Sequence, residues 1–294
     1  MIVSSKNCCV KIASRSIDQD VLRRDITTNP LLYKFIPDLG FKIKKRKIIF
    51  GLENRPSPKI NFSLNRPYLY GQYLQNFNST DIIVITEYFL ERLRQERAIC
   101  TIHSSSIYKK DKAIILFANL TGAGKTSLVL YLHKRYGYQI FSDEKTLVDI
   151  EKIKLVGQTS KIFLEKRTKD NLKFFGLDLP EIINIKKASD KKLRLLIIPI
   201  IVPLEGAPII YQYTPNQLKW SLYEEFSKDI RLINGLILNF SYPLQSLDNH
   251  QLAIKREYFI KKISQQIPCY YILGDLPNVA QKINQIFLNI DFKS

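Results

Sequence analysis

The feature that most constrains this chain is the segment Asn119-Leu120-Thr121-Gly122-Ala123-Gly124-Lys125-Thr126. It lies between an apolar run, Ala113-Ile114-Ile115-Leu116-Phe117-Ala118, and a stretch from Lys125 to Tyr136 whose apolar residues recur at helical spacing. A buried strand that delivers a glycine-containing loop to a helix N-terminus makes a phosphate site, because successive backbone N–H groups converge on the anion and the helix end adds partial positive charge. Gly122 and Gly124 permit the tight turn, Lys125 reaches the β/γ-phosphates of a nucleotide, and Thr126 offers its hydroxyl to magnesium. The full pattern G-x-x-x-x-G-K-[ST] has glycine where this chain has Asn119, a residue that tolerates left-handed backbone angles. The expected nucleotide contacts are Thr121, Gly122, Ala123, Gly124, Lys125, Thr126 and Ser127, and Gly137 is the expected helix stop.

Eighteen residues beyond Lys125, the strand-like Tyr138-Gln139-Ile140-Phe141-Ser142 ends at the acidic pair Asp143-Glu144. Two adjacent carboxylates suit two tasks: one accepts a proton from an attacking hydroxyl, the other holds a hard cation directly or through water. A solvated acidic turn is the alternative. His103, in Thr101-Ile102-His103-Ser104-Ser105-Ser106, reads by itself as a surface or hydrogen-bonded core histidine.

Around these motifs the chain divides near residue 98. With 294 residues it makes one large domain or two ordinary ones, and a hydrophobic fraction of 45% excludes a disordered polyelectrolyte. Ile2 to Ile12, Tyr33 to Ile36, Phe41 to Leu52 and Ile60 to Leu64 read as short strands, and from Asp81 to about Ala98 the apolar spacing turns helical. The expectation is a small β-rich domain with a connecting helix over residues 1–98 and an α/β domain over 99–294, with further helices at 215–226, 248–266 and 277–289. Strands are expected near 146–150, 161–164, 193–202, 208–213, 232–239 and 269–273. The longest apolar run, Leu195 to Leu204, carries Pro199 and Pro203 and is far short of the ~20 residues a membrane helix needs. The opening Met1-Ile2-Val3-Ser4 has no basic-then-apolar pattern of a secretory signal, and Cys8, Cys9, Cys100 and Cys269 lack zinc-site spacing, so a cytoplasmic protein with free thiols is expected.

Lys and Arg total 45 against 27 Asp and Glu, a formal charge of +18. The densest run is Lys42-Ile43-Lys44-Lys45-Arg46-Lys47, with further clusters at Lys161, Lys166, Arg167 and Lys169 and at Lys186, Lys187, Lys191, Lys192 and Arg194. Such clusters favour polyanions, or they are the solvated edges of a lysine-rich protein. Zinc-finger, RNP and KH signatures are absent, which leaves nucleic acid as a secondary partner class. The two later clusters are expected to flank the nucleotide site and hold nucleotide or an acidic acceptor.

Taken together, His-Ser-Ser-Ser, a strand, Leu-Thr-Gly-Ala-Gly-Lys-Thr, a helix and Phe-Ser-Asp-Glu resemble the HPr serine kinase/phosphorylase family, whose cores look like that of phosphoenolpyruvate carboxykinase, and its smaller relatives including lasso-peptide kinases. Those proteins carry a histidine a little over twenty residues before the P-loop lysine and an acidic pair under twenty after it; here the separations are 22 (His103 to Lys125) and 18 (Lys125 to Asp143). The match spans residues 101–150 and continues more faintly at Ile153 to Leu164 and at Ile267 to Leu273 followed by a last helix, which also look like the HPr-kinase-like proteins. It departs from the pattern at Glu144, where aspartate is usual, and in lacking the downstream glycine-rich segment of true HPr kinase/phosphorylases. The resemblance implies an α/β P-loop kinase core, ATP and Mg2+ as cofactors, and phosphoryl transfer to a hydroxyl of a small protein, peptide or small molecule. It further implies Asp143 as proton acceptor, Glu144 and Thr126 at the metal, Lys125 as phosphate clamp, His103 as a polar group beside the γ-phosphate or acceptor, and a homo-oligomer. A nucleic-acid-directed kinase or NTPase, and a nucleotide-binding module without turnover, stand as the alternatives.

Overall fold

The computed structural model describes residues 1–14, 18–44, 46–53, 68–72, 78–118, 122–231 and 246–291. The elements are β1 (Ile2–Ser5), β2 (Cys8–Ser14), α1 (Gln19–Thr28), α2 (Leu31–Phe35), β3 (Leu39–Gly40), β4 (Arg46–Glu53), β5 (Tyr68–Gln72) and α3 (Ser79–Gln95). There follow β6 (Ile99–Lys109), β7 (Lys112–Phe117), α4 (Lys125–Tyr136), β8 (Gln139–Ser142), β9 (Lys145–Asp149), β10 (Lys154–Gln158), β11 (Lys161–Phe163) and α5 (Lys166–Phe174). The last are β12 (Ile182–Asn184), β13 (Lys191–Ile201), β14 (Ile209–Gln212), α6 (Pro215–Arg231), α7 (His250–Gln266), β15 (Cys269–Gly274) and α8 (Leu276–Asp291). The expected strands at 60–64 and 232–239 lie outside the described residues.

Two main sheets carry the chain. The first has the order β3-β1-β2-β4-β5, antiparallel at β1–β2 and parallel from β2 through β5. The second runs β10-β9-β6-β7-β13-β15-β14, with β8 also on β6, and it curls far enough for β10 to pair with β13. Its centre, β7-β13-β15, is parallel. These strands are apolar on both faces, as a sheet covered by helices on both sides must be. Ile114, Leu116, Leu195 and Ile197 pack with α4 and α8, while Ala113, Ile115, Phe117 and Leu196 pack with α6 and α7.

Local chemistry sets the helix ends. Asn78 caps α3 through a capping box with Asp81, which starts the helix two residues before the apolar pattern does. Gly137, at φ 70°, closes α4 as expected. Tyr33 to Ile36 is not a strand but the end of helix α2 and its cap. A short apolar run fits either state, and here Asn29 accepts the Leu31 N–H at 3.0 Å while Pro30, with φ −61°, is already helical. The basic stretch after Lys161 likewise folds as helix α5, anchored by one buried residue, Leu172.

A buried polar cluster joins the two sheets. Arg94 of α3, wholly buried, donates to Glu87 at 2.6 Å, to Glu91 at 2.9 Å, to Ser5 of β1 at 2.9 Å and to Thr101 of β6 at 3.0 Å. Lys145 of β9 continues it, 3.5 Å from Glu87 and 2.6 Å from Asp229 of α6. Burial opposes each charge: Glu87 and Glu91 hold Arg94 charged and Lys145 keeps Asp229 below the usual carboxylate range, whereas at Glu87 burial outweighs Arg94 and Lys145 and pushes the carboxyl above its ordinary value. Arg94→Met would strand two carboxylates in the interior, so a loss of about 3–5 kcal/mol is expected, read as a lower urea midpoint at pH 7; an unchanged midpoint would refute the cluster's structural role.

Candidate functional site

The loop after β7 turns through Gly122 (φ 81°) and Gly124 (φ 85°) into α4. Both angles are left-handed, which glycine adopts without steric cost. At Gly124 space matters too: a Cβ would stand 2.5 Å from Ile201 Cγ1 of β13, so the loop lies against the end of the neighbouring strand. Leu128 N–H bonds Gly124 O at 2.9 Å, leaving the N–H groups of the first turn without intrahelical partners, as at any helix start. Asn119, Leu120 and the expected contact Thr121 lie outside the described residues.

Lys125, Thr126 and Ser127 open α4 and line a cleft of about 860 Å3, together with Gly122, Ala123 and Gly124. The same cleft is lined by His103 and Ser105 from β6 and by Asp143 and Glu144 from the β8–β9 turn. β6 lies between β7 and β9 in the sheet, and this ordering collects segments separated by 22 and 18 residues at one end of it.

Asp143 is 3% exposed, which excludes a solvated acidic turn. Its carboxylate accepts hydrogen bonds from Thr126 Oγ1 at 3.1 Å and from Ser105 Oγ, so the start of α4 and the acid are directly joined. Its backbone is clamped by Thr159, whose Oγ1 accepts from Asp143 N at 3.1 Å and donates to Asp143 O at 2.7 Å. Burial, then the charge of Glu144, raises the Asp143 pKa to about 6, against the hydrogen bonds from Ser105 and Thr126. At neutral pH the group is ionised and basic enough to take a proton.

Glu144 has φ 65°, a left-handed conformation that is costly for a residue with a side chain. Its carboxylate lies 3.8 Å from His103 Nδ1 and 3.1 Å from Lys34 Nζ of α2. The His103 ring is 42% exposed, but to the cleft; burial and Lys125 lower its pKa to about 4, so it is a neutral hydrogen-bonding group at pH 7. Lys125 is also lowered by burial, with Glu144 and Asp143 acting in the opposite direction.

No cluster of three or more His, Cys, Asp or Glu able to hold a metal occurs among the described residues. The donor set still suits Mg2+, which keeps most of its waters and needs few protein ligands beside nucleotide phosphates. Thr126 donates its proton to Asp143, which leaves the oxygen lone pairs for a cation, and Glu144 supplies a half-buried carboxylate alongside.

Of the basic clusters, Arg167 on α5 lines the cleft. The cluster at 186–194 does not. Lys192 pairs in register with Lys112 at the start of β7, and in parallel strands that places it at the opposite end of the sheet from the loop. Ser105, Thr159, Lys34 and Phe35 belong to the site or its support and were not singled out from sequence. Ser105 sits in the serine run beside His103, a signal of sorts, whereas Lys34 carries none. The four cysteines are buried and unpaired, and no described helix is long and apolar enough to cross a membrane.

No family model and no curated protein matches the chain. Among solved structures, the HPr(Ser) kinase/phosphatase from Coxiella burnetii is distantly similar, with 15% sequence identity and a TM-score of 0.31 over 66% of this chain and 97% of that chain.

Proposed function

We propose that this protein is an ATP- and Mg2+-dependent phosphotransferase that moves the γ-phosphoryl group to a hydroxyl, with a serine or threonine of a small protein or peptide as the acceptor. The observation that carries this reading is the hydrogen bond from Thr126 to Asp143, because it sets a candidate general base against a phosphate loop in one cleft. A binding module without turnover has no need of a buried carboxylate held ionised there at a cost in stability.

In this reading the N–H groups of Gly122, Ala123 and Gly124 and the Lys125 ammonium hold the β- and γ-phosphates, with Ser127 beside them. Thr126 and Glu144 would hold Mg2+, which when bound would supply neutralisation of phosphate charge. The acceptor hydroxyl gives its proton to Asp143 as its oxygen forms the new bond to phosphorus, and the bridging oxygen leaves with ADP. His103 donates or accepts a hydrogen bond at the incoming oxygen without adding charge. Little bond-making falls to the protein, so most of the rate enhancement comes from positioning and charge stabilisation.

The test is label transfer from γ-labelled ATP to peptide, protein, RNA and small-molecule fractions of a cell extract. Lys125→Ala should abolish transfer, a fall of at least ~100-fold. Label appearing in RNA alone would replace the protein acceptor by a nucleic acid, and ATP bound but never consumed would leave a binding module.

Asp143→Asn should likewise remove transfer while ATP affinity stays within a few-fold, since the base acts in the transition state. Transfer by the wild type should fall as pH drops through about 6, where Asp143 takes up its proton. The stability effect has the opposite sign. A carboxyl whose folded pKa is raised to about 6 from 3.8 binds its proton more tightly folded than unfolded, so its ionised form lowers stability above that range. Asp143→Asn should therefore be more stable than wild type at pH 8, by about 1–2 kcal/mol, with the gain fading toward pH 4. A variant that is less stable at pH 8, or one that retains full transfer, would remove Asp143 from this role.

A further inference from the structure

The cleft is built from β6, α4 and the β8–β9 turn, yet two of its lining residues, Lys34 and Phe35, come from α2, far upstream in sequence. This five-residue helix is held in place from several directions. Leu32 is fully buried in the core beneath α3. Asn29, just before the helix, donates to Ser79 Oγ at 2.9 Å and Thr80 Oγ1 at 3.2 Å at the start of α3. Just after it, Ser5 Oγ donates to Pro37 O at 2.6 Å and Asp38 N–H donates to Gln158 O of β10 at 2.7 Å. Lys161 of β11 stands over the Tyr33 ring at 4.6 Å, and Lys145 lies 6.0 Å from the centre of Phe35. A helix fixed on both sides presents Lys34 to the cleft at a defined point, 3.1 Å from Glu144.

That point matters electrically. Glu144 neighbours Asp143 in sequence and faces both His103 and Lys34, and Lys34 is a second ammonium lining the cleft that Gly122, Gly124 and Lys125 line, 22% exposed on a flexible four-carbon stem. A divalent cation at Glu144 repels Lys34, and a terminal phosphate attracts it. The Lys34–Glu144 pair is therefore exchanged for two new pairs when cation and triphosphate arrive together, whereas a cation arriving alone must break it unaided.

We propose that Lys34 is a second phosphate-binding lysine, supplied to the site by the N-terminal segment, and that its pairing with Glu144 makes metal and nucleoside triphosphate binding cooperative. This rests on the nucleotide reading above and extends it: the site is complete only with α2 in place, and the lysine discriminates a triphosphate from a diphosphate because the charge it meets is on the third phosphate.

The experiment compares wild type, Lys34→Met and Lys34→Arg by calorimetric titration with ATP and with ADP in the presence of Mg2+, and with Mn2+ alone followed by its spin resonance. Lys34 is partly exposed, so both variants should fold, and circular dichroism melting verifies this. In Lys34→Met, ATP should bind roughly 10-fold more weakly and ADP within about twofold of wild type, because the lost ammonium meets only the third phosphate, and Mn2+ alone should bind more tightly, because no ammonium then competes with it for Glu144. Lys34→Arg should retain the discrimination between ATP and ADP. Equal weakening toward ATP and ADP, or no change in any of the three titrations, would overturn the role of Lys34 while leaving the nucleotide site standing. A wild-type protein that binds neither nucleotide would remove the nucleotide reading itself, and this inference with it.

Discussion

The guanidinium of Arg94 is the point at which the two sheets become one structure. Fully buried, it bonds to Ser5 of the small sheet, to Thr101 of the large one and to two carboxylates of its own helix. Only arginine has five donors in a rigid fork that can serve so many acceptors at once. Thr101 lies two residues before His103 on β6, and Lys145, bonded to Asp229 and close to Glu87, directly follows Glu144. The strands that bear the histidine and the acidic pair are thus pinned from below by the same network. Such networks contribute less to net stability than apolar packing of equal volume would, but a misregistered strand leaves a buried charge unpaired, and that penalty selects one arrangement.

The parts of this architecture that were legible in sequence are those where local chemistry and tertiary context agree. Helix α4 spans Lys125–Tyr136 as its spacing and Gly137 predict, because a glycine-bearing loop must start it and a left-handed residue must stop it. The strands β7, β8, β9 and β13 follow their apolar runs to within two residues. His103, Asp143 and Lys125 share a cleft because β6, which carries His103, pairs with β7, whose loop leads to Lys125, and with β8, which ends just before Asp143.

Other features had no local signature. Helix α1 buries only Leu22 and Ile26 in ten residues, too few to display a period, and α5 buries only Leu172. The short run at Tyr33 fits strand and helix equally until Asn29 and Pro30 are seen to cap it. The placing of Lys34 against Glu144 depends on packing between segments more than a hundred residues apart, and the separation of Lys192 from the glycine loop depends on the parallel register of β7 and β13. Charge clusters mark which residues are basic. They say nothing of which end of a sheet those residues occupy.

The turn at Asp143 and Glu144 concentrates two unfavourable features, a buried carboxylate and a left-handed residue that is not glycine. Either costs of order 1–3 kcal/mol in isolation. Both persist because the surrounding bonds over-determine them. Thr159 takes both backbone groups of Asp143, Ser104 N–H bonds Glu144 O at 3.1 Å, and Lys145 N–H returns to Asp143 O at 2.8 Å. A turn that merely joined two strands would gain from a glycine at 144 and a solvated residue at 143. Here the backbone strain turns one carboxylate toward Lys34 and His103, and the burial keeps the other basic and aimed at Thr126. The two acids so acquire different environments from adjacent positions, one half-exposed and charge-paired, one buried with a raised pKa. That division suits the two roles proposed for them, metal ligand and proton acceptor, and neither burial nor strain alone would produce it.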